Sequence, residues 1–246
     1  MGEPVSRTDL RHVFEFYRAM GLDEVPLGAG VEVKKEKTKT QTKTNTQKKQ
    51  EKRKMSAGEK AAALEKLYHE VLEGCTGCKL SAGRTNIVFG EGNPSARIMF
   101  IGEAPGAEED KQGRPFVGRA GQLLTNLIIK LGMKREDVFI ANIVKCRPEG
   151  NRDPEEDEVS ACLPFLKKQI GIIAPEAIIA LGRVSAQTLL CTEVQISKLR
   201  GRFANFEGIP FMPTYHPSYL LRNPKDKILT WQDALQVLEL LGLKAP

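Results

Sequence analysis

The sequence has no apolar run that approaches the roughly 18 residues needed to cross a membrane as a helix. Its first residues carry charges where a secretory signal peptide has an unbroken apolar stretch. We therefore expect a cytoplasmic protein with no membrane partner. In that reducing compartment the five cysteines are poor candidates for structural disulfides, which leaves metal ligands or buried thiols.

The basic character of the chain is concentrated in one segment. Residues 34–54 contain ten Lys or Arg and two Glu, a net charge of +8. Because the whole chain carries +6, the remaining residues sum to −2. A domain outside this segment is therefore nearly neutral, and any surface on it that binds nucleic acid must be a local patch.

Composition divides the chain into three parts. Residues 1–25 carry one short helical pattern, which would be only marginally stable alone; we expect docking or disorder, with a protein partner as the alternative. Residues 26–54 predict a disordered Lys/Thr/Gln-rich linker, either a spacer or a salt-sensitive contact to phosphate backbone. Residues 55–246 predict the main domain.

Short apolar runs alternate with helical patterns in the main domain. The runs predict buried strands at 97–102, 137–142, 177–181 and 209–214. This alternation is typical of a three-layer α/β/α sandwich with a central, mostly parallel four-stranded sheet. Such sheets bind ligands at the carboxyl ends of their strands.

Two of the helices in this pattern have predicted N-terminal caps. Ser56 and Glu59 fit a capping box before the first helix of the domain. Asp153 is the expected cap of a helix that runs from Pro154 to about residue 170.

The segment after the first strand has an unusual composition. Residues 102–121 (GEAPGAEEDKQGRPFVGRAG) combine five glycines, two prolines, four acids and Phe116. The segment lacks the Gly-Lys-Ser/Thr ending of a P-loop, and its glycines lack the spacing of a dinucleotide fingerprint. The composition suits a pocket for a planar neutral group on which Phe116 would stack, and an ordinary surface loop is an equally supported alternative.

The cysteines contain one recognisable pair. Cys75 and Cys78 form a CxxC sequence, and Cys146 and Cys162 follow far along the chain. Four thiolates suit a tetrahedral zinc ion or a [4Fe-4S] cluster equally well, so the spacing does not decide between them. Cys191 follows two leucines at a predicted helix end and is expected to be a buried thiol.

Three segments together resemble the motifs of the family 4 (iron-sulfur, thermostable-type) uracil-DNA glycosylases. They are GEAPGAEEDKQGRPFVGRAGQLL from residue 102, NIVKCRP from residue 142 with NRDP from residue 151, and HPSYLLR from residue 216. The resemblance covers about residues 56–242. It implies a uracil-DNA glycosylase-like catalytic domain at residues 55–246. Such an enzyme flips uracil out of single- or double-stranded DNA and hydrolyses its N-glycosidic bond, leaving an abasic site for base-excision repair.

The resemblance also implies roles for single residues. His216 would donate to the uracil oxygen as negative charge develops, Glu103 would position water or support the sugar cation, and Asn151 would support the water network. Asn142 would read the base edge and Phe116 would stack on the base. The rest of the implied set consists of the substrate-binding residues Ala104, Gly106 and Glu109 and the DNA-binding residues Ser218, Leu220 and Arg222. Because Ala104 occupies a position where many uracil glycosylases have Asp, which carboxylate positions the water stays open.

For the cysteines, the resemblance favours a structural [4Fe-4S] cluster on Cys75, Cys78, Cys146 and Cys162 over zinc. Basic residues beside the cluster would contact DNA phosphates: Lys79, Lys145 and Arg147. We expect a monomer that acts on uracil-containing DNA. The alternative from another class is a non-catalytic iron-sulfur or zinc module that binds damaged DNA.

Overall fold

The six strands of a mixed sheet organise the described part of the chain. The computed structural model describes residues 55–72 and 74–245, so the predicted N-terminal helix and the predicted linker up to residue 54 lie outside it. The strands are β1 Glu91–Gly92, β2 Ile98–Gly102, β3 Phe139–Asn142, β4 Ala177–Leu181, β5 Ala204–Phe206 and β6 Ile209–Thr214. The helices are α1 Ala57–Leu72, α2 Ala107–Gln112, α3 Arg119–Lys130, α4 Glu156–Ile173, α5 Arg183–Leu190, α6 Ile196–Leu199, α7 Pro217–Arg222 and α8 Lys227–Leu240.

The strand order is β1-β3-β2-β4-β6-β5. The four predicted strands are confirmed, and they form the parallel centre β3-β2-β4-β6. The prediction of only four strands is wrong, because β1 and β5 add an antiparallel strand at each edge. Both edge strands are too short to show an alternating pattern. The sequence signal for β5 is its turn to β6, where Glu207 and Gly208 both have positive φ, as a two-residue hairpin turn requires.

Alternate residues of each central strand enter two separate apolar layers. Met99 and Ile101 of β2 face a cluster that contains Leu67 of α1 and Leu166 of α4. Ile98 and Phe100 face the opposite cluster, built with residues of α3 and α8. Because both faces of the sheet are covered by helices, the predicted three-layer α/β/α class is confirmed. Among the described helices, none combines the length and the apolar character that a membrane span requires.

One of the two predicted helix caps is present. Ser56 Oγ accepts from the backbone N–H of Glu59 at 3.3 Å, and Glu59 Oε2 accepts from the backbone N–H of Ser56 at 2.7 Å. The prediction that Asp153 caps a helix beginning at Pro154 is wrong. That helix, α4, begins at Glu156 and is capped by Glu155, whose N–H donates to Glu158 Oε2 at 2.8 Å.

Gly92 fixes where β1 meets β3. It has φ +130°, and a Cβ there would lie 1.9 Å from the carbonyl oxygen of Val138. We expect Gly92→Ala to lower the free energy of unfolding by about 1–3 kcal/mol, because the side chain is strained and displaces the strand pairing. The measurement is urea denaturation.

Gly171 provides the matched control. It lies in α4 without a positive φ, and a Cβ added there would meet open space. Gly171→Ala should therefore raise the free energy of unfolding by about 0.5–1 kcal/mol. Equal midpoints for the two variants would contradict the assignment of strain to Gly92.

Candidate active site

A cleft of about 790 Å³ opens at the carboxyl ends of the parallel strands. Of the eleven predicted site residues outside the cysteines, ten line it; their roles remain predictions. These ten are Glu103, Ala104, Gly106, Glu109, Phe116, Asn142, Asn151, His216, Ser218 and Arg222. The strand-end rule explains the gathering, since β2, β3 and β6 deliver three distant segments to one edge.

Gly102 allows an amide and an aromatic ring to meet at the floor of the cleft. A Cβ at this position would lie 2.5 Å from Asn142 Oδ1 and 2.5 Å from Phe116 Cζ, so any side chain would separate the two groups. Phe116 has φ +51°, a conformation that is uncommon for a bulky residue. The backbone N–H groups of Val117 and Gly118 each donate to Glu109 Oε1 at 2.9 Å, which holds this loop in place.

The Asn142 side chain is a buried group with unused hydrogen-bonding capacity. Asn142 is 1% exposed, and its Oδ1 atom has no hydrogen-bond partner within the described residues. A buried acceptor left unpaired costs about 1–3 kcal/mol. Because the residue also lines the cleft, a ligand with an N–H donor would recover that free energy.

His216 is held as a neutral hydrogen-bond donor. Its Nδ1 accepts from the backbone N–H of Ser218 at 3.1 Å and lies 2.7 Å from Ser218 Oγ. Burial lowers the pKa of His216 to about 4, and the nearby charge of Arg222 acts in the same direction. A neutral ring whose Nδ1 accepts carries its proton on Nε2, which leaves that N–H for a ligand. The ring centroid lies 5.7 Å from that of Phe116.

Glu103 belongs to a group of charges that the sequence prediction missed. Burial raises the pKa of Glu103 to about 7; the charge of Asp153 and a hydrogen bond with it add to the rise, and Arg183 opposes it. Arg183 forms an ion pair with Asp153. The sequence predicts Asp153 only as a helix cap, although it lies inside the motif segment NRDP. Arg183 directly follows β4, so the strand-end rule applied to that strand would have found it.

The structure does not place every predicted DNA-contacting residue at the surface. Leu220 is 3% exposed and packs in the groove beside α3 and α8, so the prediction that it enters the duplex does not fit. Its neighbour Leu221 is half-exposed. Lys145 is buried and does not fit the predicted phosphate contact, whereas the exposed Lys79 is paired with Glu155 and its phosphate contact stays a prediction.

The four predicted ligand cysteines line one small cavity. Arg84 Nη1 donates to Cys146 Sγ at 3.4 Å, and the backbone N–H of Lys145 donates to Cys162 Sγ at 3.2 Å. Burial raises the pKa of the Cys162 thiol to about 11. Within the described ranges, no three or more His, Cys, Asp or Glu side chains are arranged to hold a metal ion. Cys191 is exposed, so the prediction of a buried thiol is wrong.

Comparison with known proteins places this arrangement in a family. Residues 89–238 match the model of the uracil DNA glycosylase superfamily. Because the match covers more than half of the chain, the protein belongs to that superfamily.

Within the superfamily, the chain is similar to proteins named type-4 uracil-DNA glycosylase. It is 50% identical to the one from Sulfurisphaera tokodaii over 188 residues, covering 72% of this chain and 84% of the relative. It is 50% identical to the one from Thermotoga maritima over 167 residues, covering 67% and 87%. The protein from Archaeoglobus fulgidus is 38% identical over 192 residues, covering 75% and 96%.

The charge group around Glu103 generates a pH prediction. Asp153→Asn removes a negative charge beside Glu103, so the pKa of Glu103 should fall from about 7 toward its ordinary value near 4.5. The carboxyl carbon resonance of Glu103, followed by NMR against pH, measures this pKa directly. Asp157→Asn, an equal charge change on an exposed residue of α4, should leave it near 7. A Glu103 pKa that is the same in Asp153→Asn and the unaltered chain would contradict the coupling.

Proposed function

We propose that this protein is a uracil-DNA glycosylase. It flips uracil out of single- or double-stranded DNA and hydrolyses the N-glycosidic bond, leaving an abasic site that base-excision repair completes. The single observation that carries the proposal is the buried Asn142 Oδ1, which has no hydrogen-bond partner among the described residues and lies beside the Phe116 ring, whose centroid is 5.7 Å from that of His216. Membership of the uracil DNA glycosylase superfamily supports it.

Asn142 provides the choice of base. A carboxamide can accept from the N3–H of uracil and donate to its O4 atom. Cytosine presents the opposite polarity at both positions, so its binding would leave buried polar groups unpaired. The Phe116 ring lies beside Asn142 and would stack on the flipped base, with Ala104 and Gly106 in the same loop lining the pocket.

His216 acts on the leaving group. Negative charge builds on uracil as the glycosidic bond lengthens, and a fixed donor aimed at that oxygen stabilises the transition state. The Nε2–H of a neutral imidazole supplies such a donor. Because the pKa of His216 is lowered to about 4, the ring stays neutral at physiological pH. Ser218 holds the tautomer through its contacts with Nδ1.

Glu103 acts on the sugar side of the reaction. Its ionised carboxylate would hold the attacking water or stabilise the oxocarbenium-like sugar. Asp153 raises the pKa of Glu103 and so disfavours its ionised form, whereas the positive charge of Arg183 lowers that pKa. Asn151 lines the same part of the cleft, where its Oδ1 accepts from Arg147 Nε at 2.8 Å. We assign the duplex contacts to Ser218, the exposed Arg222 and the half-exposed Leu221.

We assign the cysteine cavity to a [4Fe-4S] cluster held by Cys75, Cys78, Cys146 and Cys162. The donor set fits, because four thiols line one cavity and two of them accept N–H groups, which tunes cluster sulfur ligands. Four thiolates would hold a zinc ion equally well, and it is the resemblance to the iron-sulfur uracil-DNA glycosylases that favours the cluster. The cluster would link the segment after α1 to the β3–α4 connection.

The catalytic assignment predicts large losses from single substitutions. Asn142→Ala and His216→Ala should each lower the rate of uracil excision by about 100-fold or more, the usual effect of losing one transition-state donor. The assay incubates a uracil-containing oligonucleotide with the protein and cleaves abasic sites with alkali. Asn126→Ala, on the exposed surface of α3, is the control and should match the unaltered chain. Tight binding to uracil-containing DNA without strand scission would instead support a non-catalytic DNA-binding module.

The metal assignment predicts a cysteine-specific loss. Cys162→Ser should lower iron and acid-labile sulfide content and the melting temperature, because it removes one ligand of a structural cluster. Cys191→Ser changes an exposed thiol outside the cavity and should change none of these quantities. Stoichiometric zinc without iron in the protein purified anaerobically would overturn the assignment.

A further inference from the structure

Lys145 is a buried lysine without a carboxylate partner among the described residues. It is 1% exposed. Its ammonium donates to the backbone carbonyl of Asn142 at 2.9 Å and to Gln169 Oε1 at 2.7 Å. Two neutral oxygens leave the charge itself uncompensated, and buried charges are normally paired.

The same residue also touches the cysteine cavity. Lys145 lines that cavity, its backbone N–H donates to Cys162 Sγ at 3.2 Å, and Cys146 follows it in the chain. When a metal centre is bound, its cysteine ligands are thiolates, and these would be the negative groups available to balance the ammonium. The buried lysine lies between the cavity and the residue that we assign to base reading.

We propose that Lys145 is a positioning residue that couples Asn142 to the cysteine cavity, with the thiolates as its counter-charge. The proposal rests on the uracil-binding role assigned to Asn142. Neither the motif comparison nor the cleft geometry assigns Lys145 a part in base recognition, since its side chain does not line the cleft.

The turn from Asn142 to Lys145 shows how the coupling works. Asn142 is the last residue of β3, and beyond it the backbone N–H groups of Ile143 and Val144 donate to the carbonyls of Gly102 and Glu103 at 3.0 and 3.1 Å. The Lys145 ammonium folds back to the Asn142 carbonyl and closes the turn. Gln169 ties this turn to α4 and, through its Nε2, donates to the carbonyl of Phe89 at 2.9 Å. Because α4 also carries Cys162, movement of the cysteine and movement of the Asn142 backbone share one anchor.

The test compares three lysine variants of the full chain, loaded with its metal centre. Lys145→Met removes the hydrogen bond and the charge, whereas Lys145→Gln keeps a donor without the charge. Lys60→Met is the matched control, because Lys60 also donates to a backbone carbonyl, that of Ile173 at 2.7 Å, but lies away from the cleft and the cysteines. The readouts are inhibition by free uracil, affinity for an uncleavable DNA, kcat and KM, and the rate of iron release to a chelator.

For Lys145→Met we expect inhibition by free uracil to weaken about 10-fold or more, the usual effect of losing a charge-assisted hydrogen bond. DNA affinity and KM should stay within about 2-fold while kcat falls, because the duplex contacts are elsewhere. Iron release should accelerate. Lys145→Gln should recover part of the uracil inhibition without recovering iron retention, and Lys60→Met should match the unaltered chain in all readouts.

The outcomes separate this inference from the proposed function. An unaltered chain that neither binds free uracil nor excises it overturns the proposed function. An active unaltered chain with unchanged uracil inhibition and iron release in Lys145→Met overturns the coupling alone. If Lys145→Met fails to fold, Gln169→Leu removes the bonds of Gln169 to Lys145 and to the Phe89 carbonyl but keeps the bond from Lys145 to Asn142, and it should shift both readouts in the same direction by a smaller factor.

Discussion

A buried amide oxygen at the floor of the cleft is the constraint on which the site depends. Asn142 Oδ1 is buried without a partner among the described residues, and a Cβ on Gly102 would lie 2.5 Å from it. Because Gly102 lacks a Cβ, the Asn142 amide and the Phe116 ring can approach each other. Phe116 reaches this position in a backbone conformation that is unfavourable for an aromatic residue. The fold therefore maintains a free energy cost that a ligand of matching polarity would remove.

The electrostatics of the cleft separate two roles that act on opposite sides of the scissile bond. Burial keeps His216 neutral with a pKa of about 4, and burial together with Asp153 raises the pKa of Glu103 to about 7. A neutral donor can stabilise a developing anion without having to lose a proton, and a carboxylate that ionises near neutrality can serve as a base. The two side chains differ because His216 is shielded by the Phe116 ring and the start of α7, whereas Glu103 faces the carboxylate of Asp153.

The cleft and the cysteine cavity are parts of one structural unit. The segment that leaves β3 carries Asn142 at its start and Cys146 four residues later, with the Lys145 side chain folded between them. The helix α4 contributes both Cys162 and Gln169 to the same unit. This arrangement would give the proposed metal centre, which takes no part in the proposed hydrolysis, a physical route to the geometry of Asn142.

The sequence by itself determined the four central strands, the layer order and most of the residues that line the cleft. Apolar runs locate buried strands, and the strand-end rule with three motif segments gathers ten cleft residues on one edge. Only the tertiary structure decided the rest. It placed Asp153 and Arg183 against Glu103, buried Leu220 and Lys145, and exposed Cys191. The physical reason is that periodicity reports which residues are apolar along one element, whereas the partner of a charge or thiol depends on residues that are distant in the chain and meet only after the layers pack.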